Sequence, residues 1–182
     1  MKAIYLGTLL LMLWGCKKSS NNYQNCSETE LIKEGKRLVS VFGCNDCHSP
    51  KKMTKFGPIP DESRLLSGHQ MDVKSTENYP KLNSNEWILF NLSGTSAIGP
   101  WGKSFAANLT PHETGIGTWT LQQFTRAMRE GKFKGLENGR PLLPPMPTIG
   151  YKALTDYEVK AIFNYLKSIE PIDNLVPAPI LR

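Results

Sequence analysis

Three stretches of the chain place apolar residues at helical spacing, and each opens on the same polar signature. Ser27-Glu28-Thr29-Glu30 has the Ser-x-x-Glu form of a capping box, in which each end of the motif satisfies the other's free backbone donor. The helix it starts is predicted to run to about Val41, with Leu31, Leu38, Val39 and Phe42 on one face. Gly35 interrupts that face. A glycine inside a helix costs about 1 kcal/mol, so its presence predicts close approach of another helix. Thr120-Leu121-Gln122-Gln123 is a second box, followed by a Leu121, Phe124, Ala127, Met128 stripe and a natural stop at Gly131. Thr155-Asp156-Tyr157-Glu158 is the third, and Val159, Ile162, Phe163 and Leu166 follow at i, i+3, i+4 and i+7. Pro171 is expected to end that helix and to begin a loose, proline-rich tail over 171–182.

Residues 49–118 read differently. They are rich in Pro, Gly, Ser and Asn, with short apolar runs and no sustained period. Trp87-Ile88-Leu89-Phe90 fits a turn of helix or a short strand equally well. So long an irregular region in a small domain is expected to wrap around something. Capped helices with almost no strand signal predict an all-α fold, and no internal repeat is visible.

The first fifteen residues stand apart. Met1-Lys2 gives a positive start, and Ala3 to Leu13 is an apolar run too short to span a bilayer. Leu13-Trp14-Gly15-Cys16 resembles a lipobox, which implies cleavage before Cys16 and a diacylglycerol on its sulfur. The alternative is a plain secretory signal in which Cys16 has no role. The polar stretch that follows reads as a tether. The expected organisation is a signal peptide over 1–15, a lipid anchor and flexible tether over 16–26, a folded domain over 27–170 and the tail. The expected location is the periplasmic side of a bacterial cell envelope, with the membrane reached through the anchor.

Length and composition leave room for one domain with a real core, at 182 residues and 40% hydrophobic. The net charge is +6, but the basic residues are scattered and not interleaved with aromatics, which argues against nucleic acid.

Four cysteines could form two disulfides in an exported chain. The histidine after Cys47 argues otherwise. Cys44-Asn45-Asp46-Cys47-His48 sets two thiols one helical turn apart, where each can bond one of two neighbouring vinyl groups on a porphyrin edge. His48 then offers its imidazole to the iron. A thioredoxin-like Cys-x-x-Cys would sit in a βαβ pattern, and a zinc site needs a second ligand pair; neither is present. One covalent haem c is the expected cofactor, and Cys26 is left over.

The other axial position has six candidates: Met53, Met71, Met128, Met146, His69 and His112. Met128 lies on a helix stripe, where a core role is expected. Met53 is close to His48 in sequence. Met146 sits in the stiff segment Leu143-Pro144-Pro145-Met146-Pro147, which can present a thioether without competition from helical hydrogen bonding. It is the favoured ligand, with His69 and His112 as alternatives. A His–Met pair suits an electron carrier and fills both axial positions, which disfavours oxygen or peroxide chemistry. A module in which Met146 leaves the iron for a small ligand is a further alternative. No acid–base constellation supports an enzyme.

These residues, in this order, resemble the class I cytochrome c family from about Leu31 to Ile169. The resemblance implies an N-terminal helix crossing the C-terminal helix, with Gly35 against Ile162 and Tyr165. It also implies that Gly57-Pro58 supplies the carbonyl that accepts the His48 Nδ1 proton. A narrower likeness runs from Asn108 through Thr110-Pro111, Thr114-Gly115-Ile116-Gly117 and Trp119, continuing at Phe124, Arg126, Ala127, Gly131, Gly139 and Pro145-Met146-Pro147. It resembles cytochrome subunits of membrane-bound alcohol and sugar dehydrogenases. Those subunits usually carry several haem modules, whereas this chain has one Cys-x-x-Cys-His, and residues 59–105 fit the pattern poorly. The function implied is single-electron transfer, alone or as a non-catalytic subunit of an oxidoreductase complex. Redox partner proteins with acidic docking surfaces are expected, steered by Lys51, Lys52, Lys55, Lys132 and Lys134 or met by ordinary solvated lysines.

Overall fold

A computed structural model of the chain describes residues 26–71 and 86–182. The signal peptide, Cys16 and the tether expected before Cys26 lie outside the described residues. All three capping boxes form. Ser27 opens α1 (Glu28–Val41), Thr120 opens α3 (Leu121–Glu130) and Thr155 opens α5 (Asp156–Ser168), each with reciprocal side-chain and backbone bonds. Gly131 ends α3 in the left-handed conformation. The short helix α2 (Cys44–His48) follows α1 after one turn, and α4 (Thr148–Tyr151) precedes α5.

α1 crosses α5, and Gly35 is the reason it can. A Cβ on Gly35 would run into the Ala161 carbonyl oxygen and lie 2.7 Å from the Tyr165 Cβ. Leu31, Leu38 and Val39 from α1 meet Ala161, Ile162 and Leu166 from α5, and Phe124 and Met128 of α3 close the cluster. Each large apolar side chain buried there contributes about 1.5–3 kcal/mol. Met128 is therefore a core residue, as its helical stripe predicted.

The expectation of an all-α fold is corrected by two small antiparallel sheets. β1 (Lys51–Thr54) and β2 (Gly57–Pro60) form a hairpin directly after the α2 histidine. β3 (Leu89–Phe90), β4 (Ser96–Gly99), β5 (Gly102–Phe105) and β6 (Ile180–Leu181) form a second sheet in that order. Strands of two to four residues are too short to establish a period of two in sequence. The β1–β2 and β4–β5 hairpins instead turn through two residues into a glycine at positive φ, Gly57 at 111° and Gly102 at 106°. The undecided Trp87–Phe90 stretch ends as the edge strand β3.

The tail is not loose. Ile180 pairs with Lys103 and Leu181 with Gly102, so β6 closes the second sheet. A Cβ on Gly102 would strike the Ile180 carbonyl, so the bare glycine is what lets the tail come in. Asn174, earlier in the same tail, is buried among backbone groups that it bonds. The prolines that forbid a helix there leave the chain extended, which suits edge pairing. No described helix is long and apolar enough to cross a membrane.

Candidate functional site

Cys44 and Cys47 lie one turn apart on α2, and both are half-buried free thiols. Burial pushes the Cys44 thiol up to about 11, with Asp46 and Cys47 adding to the effect. Burial also raises Cys47. Both sulfurs are thus neutral thiols at neutral pH. Phe42 packs edge-on against Tyr151 at 5.8 Å next to this turn. Burial, with smaller contributions from the two cysteines, pushes the Tyr151 phenol up to about 12.

His48 is buried and fixed through two main-chain groups. Its Nδ1 lies 2.7 Å from the Ala107 carbonyl oxygen. A carbonyl only accepts, so Nδ1 carries the proton and the Nε2 lone pair is left for a metal. Its own carbonyl accepts the Gly68 N–H at 2.7 Å. Burial holds the imidazole below its ordinary value, which keeps it neutral. The partner implied for Nδ1, the Pro58 carbonyl, is thereby corrected to Ala107. Pro58 instead sits in β2, on an exposed hairpin.

Ala107 is held in place by a short pairing of two loops. Leu109 N–H donates to Leu66 O at 2.8 Å and His69 N–H to Ala106 O at 2.9 Å. Leu66 adopts a φ of 60° there, fixed by that bond and by its own N–H to the Ser49 hydroxyl at 2.8 Å. Left-handed backbone at a non-glycine residue persists only where neighbours over-determine it. The tail strengthens the same pairing. Asn174 Nδ2 donates to Ser67 O at 2.7 Å and His69 O at 2.9 Å, on either side of Gly68. Asn108 Nδ2 donates to Ile172 O at 2.8 Å, while its Oδ1 accepts from Thr110.

The six candidates for the second axial position separate clearly. Met53 and Met71 are exposed, and Met128 is in the core. His69 is buried against the second sheet, its Nδ1 2.8 Å from the Thr95 hydroxyl and its ring 4.8 Å from that of Phe105. His112 faces the Thr114 hydroxyl at 2.9 Å and Asp173 at 3.6 Å. Met146 is half-buried against the same apolar cluster that Cys44, Phe42, Leu109 and Trp119 border. Its loop is tied down from the second sheet, where the buried Ser104 hydroxyl of β5 donates to the Pro144 carbonyl at 2.6 Å.

The lysines expected to steer partners divide. Lys51 turns inward, its ammonium bonding the carbonyls of Asn45, Asp46 and Ser49. Lys52 pairs with the buried Asp61 at 2.8 Å. Lys55 and Lys134 stay beside Phe56 and Phe133.

The donor set fits a c-type haem: two neutral thiols on one turn, a neutral imidazole with Nε2 as its accepting atom, a thioether and an apolar border. Among the described residues, no group of three or more His, Cys, Asp or Glu could hold a bare metal ion.

No family model matches the chain. Curated relatives do. It is 33% identical over 157 residues to the gluconate 2-dehydrogenase cytochrome c subunit of Pantoea cypripedii, a match covering 82% of this chain and 27% of that protein. It is 37% identical over 92 residues to the fructose dehydrogenase cytochrome subunit of Gluconobacter japonicus, over 50% of this chain and 18% of the relative. It is also 32% identical over 81 residues to the cytochrome c subunit of the quinone alcohol dehydrogenase of Gluconobacter oxydans, over 43% of this chain and 16% of the relative. The chain belongs to the cytochrome c family. This cytochrome spans between 16% and 27% of the length of those relatives.

Within the cytochrome, the Cys44–His48 turn is visible in sequence because the motif is local. Ala107, Gly68, Asn174 and Ser104 are not. All four act through or upon main-chain groups that have no side-chain signature. Asn108 stands at the opening of the dehydrogenase-like loop, and that resemblance is the one signal pointing to this part of the site.

Proposed function

We propose that this cytochrome is a single-electron carrier with one haem c held covalently by Cys44 and Cys47. His48 and Met146 would be the two side chains that ligate its iron. When bound, the haem would supply one-electron redox chemistry. The chain's own residues do the rest. Ala107 keeps the His48 proton on Nδ1 and strengthens Nε2 as a ligand. Ser104 holds the Met146 loop through Pro144. Phe42, Tyr151, Leu109 and Trp119 supply the apolar border that keeps water out. With both side chains committed to the iron, the site would offer no open position to oxygen or peroxide. The observation that carries this reading is the 2.7 Å bond from His48 Nδ1 to the Ala107 carbonyl, beside two neutral thiols on one turn.

The same reading puts the protein on the outer side of a bacterial membrane, anchored through Cys16. The relatives' names favour a second role for the same haem, as the electron-transfer subunit of a dehydrogenase complex. Co-purification with a larger subunit distinguishes that from a free carrier. Partners with acidic surfaces suit a net charge of +6, and their reaction rates should fall as salt rises.

The test is an optical spectrum of the mature protein, made in a host that installs c-type haem, with Met146→Ala beside it. The wild type should show a covalent haem and a far-red methionine–iron band, and the band should vanish in the variant. A colourless wild type would overturn the haem reading. A band that survives Met146→Ala would move the distal ligand elsewhere.

A further inference from the structure

Lys51 follows His48 by three positions, and its ammonium folds back onto the main chain. It reaches back along α2 to the carbonyl oxygens of Asn45 at 3.1 Å, Asp46 at 3.0 Å and Ser49 at 2.6 Å. An ammonium has three protons, and all three find an acceptor here. Asn45 and Asp46 are the two residues between the attachment cysteines. A five-residue helix leaves most of its carbonyls without intrahelical donors, and a cation at its C-terminal end satisfies them. Lys51 therefore closes the Cys44–His48 turn from behind.

Its charge is also felt at the site. The ammonium is fixed on the carbonyls of Asn45 and Asp46, between Cys44 and Cys47, and of Ser49, the residue after His48, so its charge sits against the turn. A fixed positive charge favours whichever redox state carries less positive charge. For an iron centre bound at His48, that is the reduced state.

We infer that Lys51 is a positioning residue that locks the haem-attachment turn and raises the reduction potential of the haem by its charge. The inference rests on the reading of Cys44, Cys47 and His48 as the haem site. It gives Lys51 a task other than partner steering, and Lys55 and Lys134 remain for that.

The experiment compares wild type, Lys51→Gln and Lys51→Arg as full chains matured with haem, by spectroelectrochemical titration. Lys51→Gln keeps hydrogen-bond donors but loses the charge. Its potential should fall, by about a three- to tenfold loss in the reduction equilibrium constant, tenfold being 59 mV for a one-electron couple. Its absorption bands should stay in place, and Lys51→Arg should match the wild type. An unchanged potential in Lys51→Gln, or an equal fall in Lys51→Arg, would sink the inference. Should Lys51→Gln fail to accumulate, the wild type decides through nitrogen-15 lysine spectra. A slowly exchanging Lys51 ammonium whose resonance moves on reduction supports the role; one exchanging like a surface lysine, or blind to oxidation state, defeats it. A wild type that carries no haem defeats the functional proposal itself, which is a different and visible result.

Discussion

Gly68 touches both supports of the histidine. Its N–H bonds the His48 carbonyl, and Ala106 O and Ala107 C lie 2.6 Å from where its Cβ would project. Its φ of 80° is also one that side chains avoid. Gly68→Ala should cost about 1–3 kcal/mol through clash and strain together. Gly57→Ala separates the two, because Gly57 shares the positive φ but has open space around it. Urea denaturation of both variants should show the larger loss for Gly68. At this scale the sequence is legible only where chemistry is carried by side chains. Cys44, Cys47 and His48 form a local motif, and Met146 stands out among prolines. The carbonyl that orients His48 belongs to an alanine, and any residue type offers the same carbonyl.

The helices are legible as elements because capping and periodicity are local. The three boxes fix three N-termini, and Gly35 predicts the crossing of α1 and α5. Gly35→Ala should therefore destabilise more than the loss of a cap. Overpacking of a tight contact costs about 1–3 kcal/mol and here meets backbone that cannot yield. Thr155→Ala, which removes the α5 cap, should cost about 1 kcal/mol. Thermal melts of the two variants check the order. The strands are hidden for the opposite reason. β4 and β6 lie far apart in sequence, and each is too short to bury a face alone. Their common sheet depends on β5 and the bare Gly102, a long-range fact with no local pattern.

For the molecule as a whole, acid stability depends on Asp61, where the chain leaves the β1–β2 hairpin. Lys52 and Ser63 bond its carboxylate and pull it from its usual 3.8 to about 2. A depressed folded value means stabilisation that is present above the unfolded value and lost as pH falls through the folded one. Wild type should thus exceed Asp61→Asn in stability at neutral pH, and the gap should close between about pH 4 and 2. Denaturation curves across that range measure it. Where it is described, the long irregular region is built of paired strands and is braced by the tail. Asn174 grips the carbonyls on either side of Gly68, so a residue of the tail completes the support of one that follows α2. Chains are delivered N-terminus first. Cys44, Cys47 and His48 therefore emerge well before Asn174, and their surroundings lack this fastening until the tail has been made.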